Sequence, residues 1–275
     1  MAMKRIHITG CPRSGTTLMM ELMRTCFHND GYCEHEMSIF ESPEGCPEKF
    51  FSKQPSDIRR IKPLLHTDEN LYVINMVRDP RAVITSIHRN FPGMYFCNFR
   101  VWNECNQKAL LLMKHHRFLQ VRYEDLVLDP DHVQDDIQTA FSFLVKERLF
   151  SEYHSFAKPS FDAKAAMGGV RKISADRITT WKKHLPRIKH EYKQYPEIAD
   201  VLIMLGYESD RDWIRQIDHV VAEKGKCRYP DHAKKLKAAE SKIRNGIKIL
   251  KYIVTRRCRS LKAPSGKSVS SSEKV

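Results

Sequence analysis

The chain has 275 residues, 41% of them hydrophobic, which suffices for one buried α/β core; its formal net charge of +14 points to a phosphate-rich partner, a polyanion or an anionic membrane surface. No apolar run reaches the ~18 residues that a membrane-spanning helix needs, and no signal-peptide-like apolar segment precedes the first expected strand, so a cytoplasmic, reducing location is expected. The eight cysteines (11, 26, 33, 46, 97, 105, 227 and 258) are scattered, with no C-x-x-C pair and no histidine at metal spacing, which argues for free thiols over a disulfide framework or a zinc site.

In chain order, Lys4-Arg5-Ile6-His7-Ile8 alternates and predicts a strand over 4–9. Leu18, Met19, Leu22, Met23 and Cys26 recur at helical spacing and predict a helix over 16–27. A strand is expected at 31–36, then loop-rich sequence to about 57. The apolar run Leu71–Val77 reads as a buried parallel strand. Asp79 can cap and Pro80 can open a helix over 80–89, followed by a helix at 98–117, a strand at 118–123 and a helix at 131–144. From 150 to 213 the pattern is short helices and loops around Pro159, Gly168-Gly169, Pro186 and Pro196. Strands alternating with helices in this way predict a parallel sheet with helices on both faces and ligands at the carboxyl ends of its strands. No internal repeat is present. The expected organisation is a catalytic domain over 1–215, a basic amphipathic helical extension over 216–262 and a disordered tail over 263–275.

Between the first strand and the first helix lies Gly10-Cys11-Pro12-Arg13-Ser14-Gly15-Thr16-Thr17. A small-residue turn there aims free backbone N–H groups and the positive helix end at one point, where an anion is the natural occupant. Gly10 and Gly15 let the backbone approach a ligand, Arg13 adds a fork of donors, and Thr16 and Thr17 add hydroxyls. The spacing is that of a nucleotide P-loop, but Thr16 stands where the Walker motif has lysine, so nothing is positioned to reach the β- and γ-phosphates of ATP. A tight turn without a ligand is the alternative.

Gly10 to Leu18 resembles the 5′-phosphosulfate loop of PAPS-dependent sulfotransferases, often G-x-P-R-S-G-T-T-L. Val77-Arg78-Asp79-Pro80-Arg81, with Ser86 eight residues after Arg78, is similar to that family's 3′-phosphate motif. Arg122-Tyr123-Glu124-Asp125-Leu126 with Asp129-Pro130, and Trp181-Lys182-Lys183-His184-Leu185 preceded by Ser174 and Arg177, also resemble family segments; the first of these reads as architectural. The resemblance spans residues 4–210 in the family's order. It implies a P-loop-nucleotide-like sulfotransferase fold and transfer of a sulfuryl group from PAPS (3′-phosphoadenosine 5′-phosphosulfate) to a hydroxyl on a small molecule or glycan, without metal. By the same resemblance Arg13, Ser14, Gly15, Thr16 and Thr17 cradle the 5′-phosphosulfate, and Arg78 and Ser86 hold the 3′-phosphate. Arg171 and Lys172 follow Gly168-Gly169-Val170. Cytosolic members of the family close the donor site with an R-K-G loop, whereas here Ile173 replaces that glycine and Trp181 lies further away than that loop requires, so these two are further candidates on the preference of phosphates for basic clusters.

Relatives take their catalytic base, a Glu or His, from the strand or loop after the first helix. Here Glu36, followed by Phe40, is similar to an E-x-x-F-F segment with the spacing changed by one, and His35, whose ordinary pKa lies near neutrality, is the alternative. On a continuous strand Glu34 and Glu36 would point to one face and His35 to the other, so only one choice could face the donor. Ile61-Lys62-Pro63 is loosely similar to a Lys-x-Pro segment of the family, though a surface lysine accounts for Lys62 better.

In the C-terminal region Leu236, Ala239, Ile243, Ile247, Leu250 and Val254 form an apolar stripe among many Lys and Arg. Packing on the domain or on a second subunit is the leading reading; docking on an anionic membrane and binding of a polyanionic acceptor stay open. Two other classes compete for the whole chain: a P-loop kinase or NTPase, against which Thr16 and the Arg78–Ser86 pair count, and a non-catalytic basic module for a polyanion or membrane surface. No aromatic-interleaved basic strand suggests a specific nucleic-acid partner.

Overall fold

A computed structural model describes residues 3–45, 47–88, 90–230 and 235–262; the expected disordered tail lies outside these residues. The chain runs β1 (Lys4–Gly10), α1 (Thr16–Cys26), β2 (Gly31–Tyr32), β3 (Lys49–Lys53), a 3₁₀ turn (Pro55–Arg59), α2 (Ile61–Thr67), β4 (Leu71–Val77), α3 (Pro80–Ile84), β5 (Met94–Tyr95), α4 (Phe99–Leu110), β6 (Phe118–Arg122), α5 (Tyr123–Leu128) and α6 (Pro130–Ala140). Short helices α7 (Tyr153–Phe156), α8 (Phe161–Met167), α9 (Leu185–Gln194), α10 (Ile198–Met204) and α11 (Arg215–Asp218) follow, then β7 (Lys226–Cys227) and the long α12 (Lys235–Lys262). The main sheet has five strands in the order β2-β3-β1-β4-β6, every pair parallel.

Alternation along β4 shows why this is an α/β layer structure. Leu71, Val73 and Val77 face a core shared with α2, α3 and α4, whereas Ile74 and Met76 face a second core shared with α1, α5 and α6. Strand β1 is less usual: Ile6 and Ile8 join the second core, but Arg5, His7 and Thr9 are also buried. These polar side chains are satisfied across the sheet. Arg5 Nε donates to Ser52 Oγ at 2.8 Å, His7 lies 2.8 Å from Ser52 Oγ and 3.1 Å from Asp57 Oδ2, and Thr9 Oγ1 donates to Asn75 Oδ1. Ser52, His7 and Asp57 have the composition of a catalytic triad, yet all three are 0% exposed, so they brace β1 and β3 against the 3₁₀ turn.

Several expected elements change. The strand expected over 31–36 ends at Tyr32. Its partner β3 lies in the stretch expected to be loop, because Lys49, Ser52 and Lys53 mask a buried strand. Helix α3 stops at Ile84 rather than 89, where the Thr85 hydroxyl folds back on Arg81 O and the chain turns toward β5. Helix α4 ends at Leu110 rather than 117, and α2 was not expected. The body of the domain extends past residue 215: Ile217 belongs to the first core, and β7 pairs with β5.

Helix α12 packs on the domain, but not through the described part of the expected stripe; the side chains of Leu236 and Ala239 lie outside those described. Ile249, Tyr252 and Ile253 lean on the first core, and the Tyr252 hydroxyl donates to Asp68 Oδ2 at 2.6 Å. Ile243, Ile247, Leu250 and Val254 stay exposed. Among the described residues no helix is long and apolar enough to cross a membrane.

Candidate active site

The turn between β1 and α1 sits at the carboxyl end of the central strand, next to the carboxyl end of β4. Two glycines are required there. At Gly10 (φ +151°) a Cβ would come within 2.5 Å of Met76 O, and at Gly15 (φ +96°) within 2.5 Å of Tyr123 Cδ2. Arg13 also takes a positive φ, 75°. Helix α1 begins at Thr16 without a side-chain cap. The N–H groups of its first turn therefore lack intrahelical acceptors, and Gly15, Thr16, Thr17 and Leu18 line a cleft.

The rest of that cleft is cationic. Arg13, Arg78, Arg171, Lys172 and Arg177 line it, and none of its lining residues is acidic. Arg78 leaves the end of β4 and stacks on Tyr123 with its guanidinium 4.1 Å from the ring centre. It donates to Arg13 O at 3.3 Å and to Arg177 O at 3.1 Å, and its Nε is buried with no hydrogen-bond partner. Burial, then the neighbouring Arg78 and Arg177, pull the Arg13 pKa below its ordinary value; burial and then Arg171 do the same for Arg177. A cluster of like charges with an orphaned buried donor fits a multiply charged anion, and the fork of each guanidinium suits phosphate.

Not every expected residue faces the cleft. The N–H and the hydroxyl of Ser14 both donate to Cys11 O, at 3.1 and 2.7 Å, so Ser14 closes the turn from within. Ser86 lies behind Arg13 and accepts from its Nε at 2.8 Å, so Arg78 and Ser86 converge on Arg13 rather than on each other. Arg81 is a buried brace. It pairs with its own helix cap Asp79 and with Glu208, and its guanidinium lies 4.1 Å from the ring centre of Trp181 and 5.1 Å from that of Trp213. Glu124 accepts from the Asp79 N–H and from the Tyr207 hydroxyl, both at 3.1 Å, which locks the turn carrying Arg78 to α5. Burial raises the Glu124 pKa.

Because the strand has ended by Tyr32, alternation no longer separates Glu36 from His35. Glu36 Oε1 lies 3.4 Å from Lys53 Nζ, and Lys53 Nζ donates to Thr17 Oγ1 at 3.1 Å. Lys53 is 1% exposed, and burial pulls its pKa down even though Glu36 opposes the shift. His35 is part-buried, with Nδ1 unpaired; burial and then Lys53 lower its pKa, so it is neutral at pH 7. Lys62 is exposed on α2. Sequence reasoning missed Lys53, although Lys53-Gln54-Pro55 has the Lys-x-Pro pattern sought at Lys62. Arg177 carries no phosphate-binding pattern of its own in the sequence beyond its place before the tryptophan segment. Among the described residues no group of His, Cys, Asp and Glu could hold a metal.

Residues 34–143 match the model of the sulfotransferase family, a span that contains Glu36, Lys53, Arg78 and Tyr123 but not the loop at 10–17. No curated protein matches the chain in sequence. Among solved structures, the sulfotransferase domain from the curacin biosynthetic pathway is 18% identical, with 76% of this chain and 99% of that domain covered at a TM-score of 0.56. The sulfotransferase domain of the Synechococcus PCC 7002 olefin synthase is 19% identical over 66% of this chain and 88% of that one, with a TM-score of 0.47. A mouse sulfotransferase complexed with PAP is 14% identical over 73% and 84%, with a TM-score of 0.42.

Proposed function

We propose that this chain is a sulfotransferase that moves a sulfuryl group from PAPS to a hydroxyl acceptor by in-line transfer. The observation that carries the reading is the carboxylate-free cleft of Arg13, Arg78, Arg171, Lys172 and Arg177 at the uncapped start of α1, joined through Thr17 and Lys53 to Glu36. In this reading the first-turn N–H groups of α1, with Arg13 and the hydroxyls of Thr16 and Thr17, hold the 5′ end of the donor. Arg78, whose buried Nε lacks a partner, holds the 3′-phosphate; Arg171, Lys172 and Arg177 add positive charge from the facing loop.

Glu36 takes the acceptor's hydroxyl proton, the acceptor oxygen forms a bond to sulfur, and the bond from sulfur to the donor's phosphate oxygen breaks. Negative charge then grows on that phosphate, where Arg13, Lys53 and the helix N-terminus oppose it. Lys53, buried between Thr17 and Glu36, keeps the base beside the donor loop. His35, neutral at pH 7, is the alternative base.

Calorimetry with adenosine 3′,5′-bisphosphate, with AMP and Mg·ATP as controls, tests the donor assignment. Metal-free binding that depends on the 3′-phosphate supports it. A preference for Mg·ATP moves the chain to a phosphotransferase, and binding of none of the three leaves a basic module with a vestigial cleft.

A further inference from the structure

Among the described side chains, helix α12 is held to the domain by one face. Asn245 Oδ1 accepts from Arg60 at 3.1 Å, the Tyr252 ring meets Phe40 edge-on at 6.2 Å, and Ile249 and Ile253 lean on the core. The opposite face carries Ile243, Ile247, Leu250 and Val254, at i, i+4, i+7 and i+11, and these are 68%, 64%, 64% and 53% exposed. A continuous row of branched aliphatics left in water marks a contact surface rather than a random excursion of the sequence.

The charge around the row says what it contacts. Arg244, Lys248 and Lys251 are exposed beside it. Over residues 235–262 the sequence has ten Lys and Arg against one acid, Glu240. A second copy of this chain would set one such basic helix against another and add repulsion between molecules that each carry +14. A soluble polyanion would neutralise the charges but leave the aliphatic row wet. A bilayer of anionic phospholipid answers both features, because its phosphates meet the basic flank and its acyl boundary takes the apolar row.

We propose that α12 is a peripheral membrane-docking helix that lies flat on anionic phospholipid. Ile243, Ile247, Leu250 and Val254 enter the headgroup–acyl boundary, and Arg244, Lys248 and Lys251 engage lipid phosphates. The test is co-sedimentation of the full chain with phosphatidylcholine vesicles, with and without phosphatidylserine. Binding is expected to require phosphatidylserine and to weaken with added salt. Ile247→Asp combined with Leu250→Asp should cut binding by about tenfold or more, with far-UV circular dichroism and affinity for adenosine 3′,5′-bisphosphate unchanged. Arg244→Glu with Lys251→Glu, which leaves the apolar row intact, should lose the phosphatidylserine preference. Equal binding to neutral vesicles, unaltered binding of the Asp variant, or a solution dimer that the Asp variant splits into monomers would overturn the proposal.

Discussion

Replacing Arg78 with alanine gives a direct test of how the cleft reads its ligand. Two of the guanidinium's nitrogens are already committed, to Arg13 O and to Arg177 O, and the buried Nε has no partner. A phosphate that completes this set gains a charge-assisted hydrogen bond worth about 1.5–3 kcal/mol. Its loss corresponds to a roughly 10- to 150-fold rise in Kd for adenosine 3′,5′-bisphosphate. The same substitution frees the Arg13 carbonyl and bares the Tyr123 face, so some loosening of the 5′ loop is expected as well. Calorimetry with AMP, which lacks the 3′-phosphate, separates the two effects. If Arg78 reads the 3′-phosphate, Arg78→Ala weakens the bisphosphate by the stated factor and AMP by about twofold or less. Unchanged bisphosphate affinity would refute the assignment. An equal loss for both ligands would place Arg78 as a support of the 5′ loop alone.

Glu36→Gln should lower turnover by about 100-fold or more with bisphosphate affinity intact; if turnover survives and His35→Asn abolishes it, the base is His35. Lys53→Met should cost roughly 100-fold in kcat, through the lost cation beside Thr17 and the released Glu36, measured by sulfate transfer at saturating donor. Gly15→Ala combines a φ of +96° with a Cβ 2.5 Å from the Tyr123 ring, so urea unfolding should show a loss of roughly 2–4 kcal/mol together with weaker donor binding. His7 is fully buried and its pKa is held below 6.5, chiefly by burial. Below that pH the unfolded chain takes up a proton that the folded chain refuses, so stability falls with a slope of up to about 1.4 kcal/mol per pH unit. His7→Gln should flatten that slope between neutrality and mildly acidic pH; an unchanged slope would show that other groups set it.

The Gly10–Thr17 loop and the Arg78 turn were legible as structure because each is written in consecutive residues at one strand end. An anion site made from a helix N-terminus needs its glycines and donors within a few positions of one another, so the chemistry and the sequence motif coincide. The same locality made the parallel sheet readable from β1, β4 and β6. Strand β3 was hidden for the opposite reason. Its Ser52 and Lys53 look like solvent-facing residues, yet Ser52 satisfies Arg5 and His7, and Lys53 satisfies Thr17 and Glu36; all those partners lie on segments distant in sequence. Likewise, alternation along β1 is compatible with one wet face, and only the approach of Ser52, Asp57 and Asn75 makes that face dry. Polar residues buried by cross-sheet pairing carry no periodic signal of their own.

That hidden strand ties the two halves of the proposed reaction together. Lys53 reaches Thr17 because β3 is the immediate neighbour of β1, and it reaches Glu36 because the segment after β2 continues along β3, with Cys33 N–H on Phe51 O and Met37 N–H on Lys53 O. One buried ammonium therefore sets the distance between the donor loop and the candidate base. Its stem is enclosed, and its ammonium is held between Thr17 on α1 and Glu36 on the segment after β2. A base held this way needs no closing motion to come into register with the donor. The loop carrying Arg171, Lys172 and Arg177 is different: Arg177 reaches the site through its backbone carbonyl on Arg78, and its charge is opposed by Arg171 and Arg78. An anion that relieves this repulsion would draw the loop onto the cleft, so donor binding should protect the backbone amides of residues 167–177 from hydrogen exchange while leaving those of β3 unchanged.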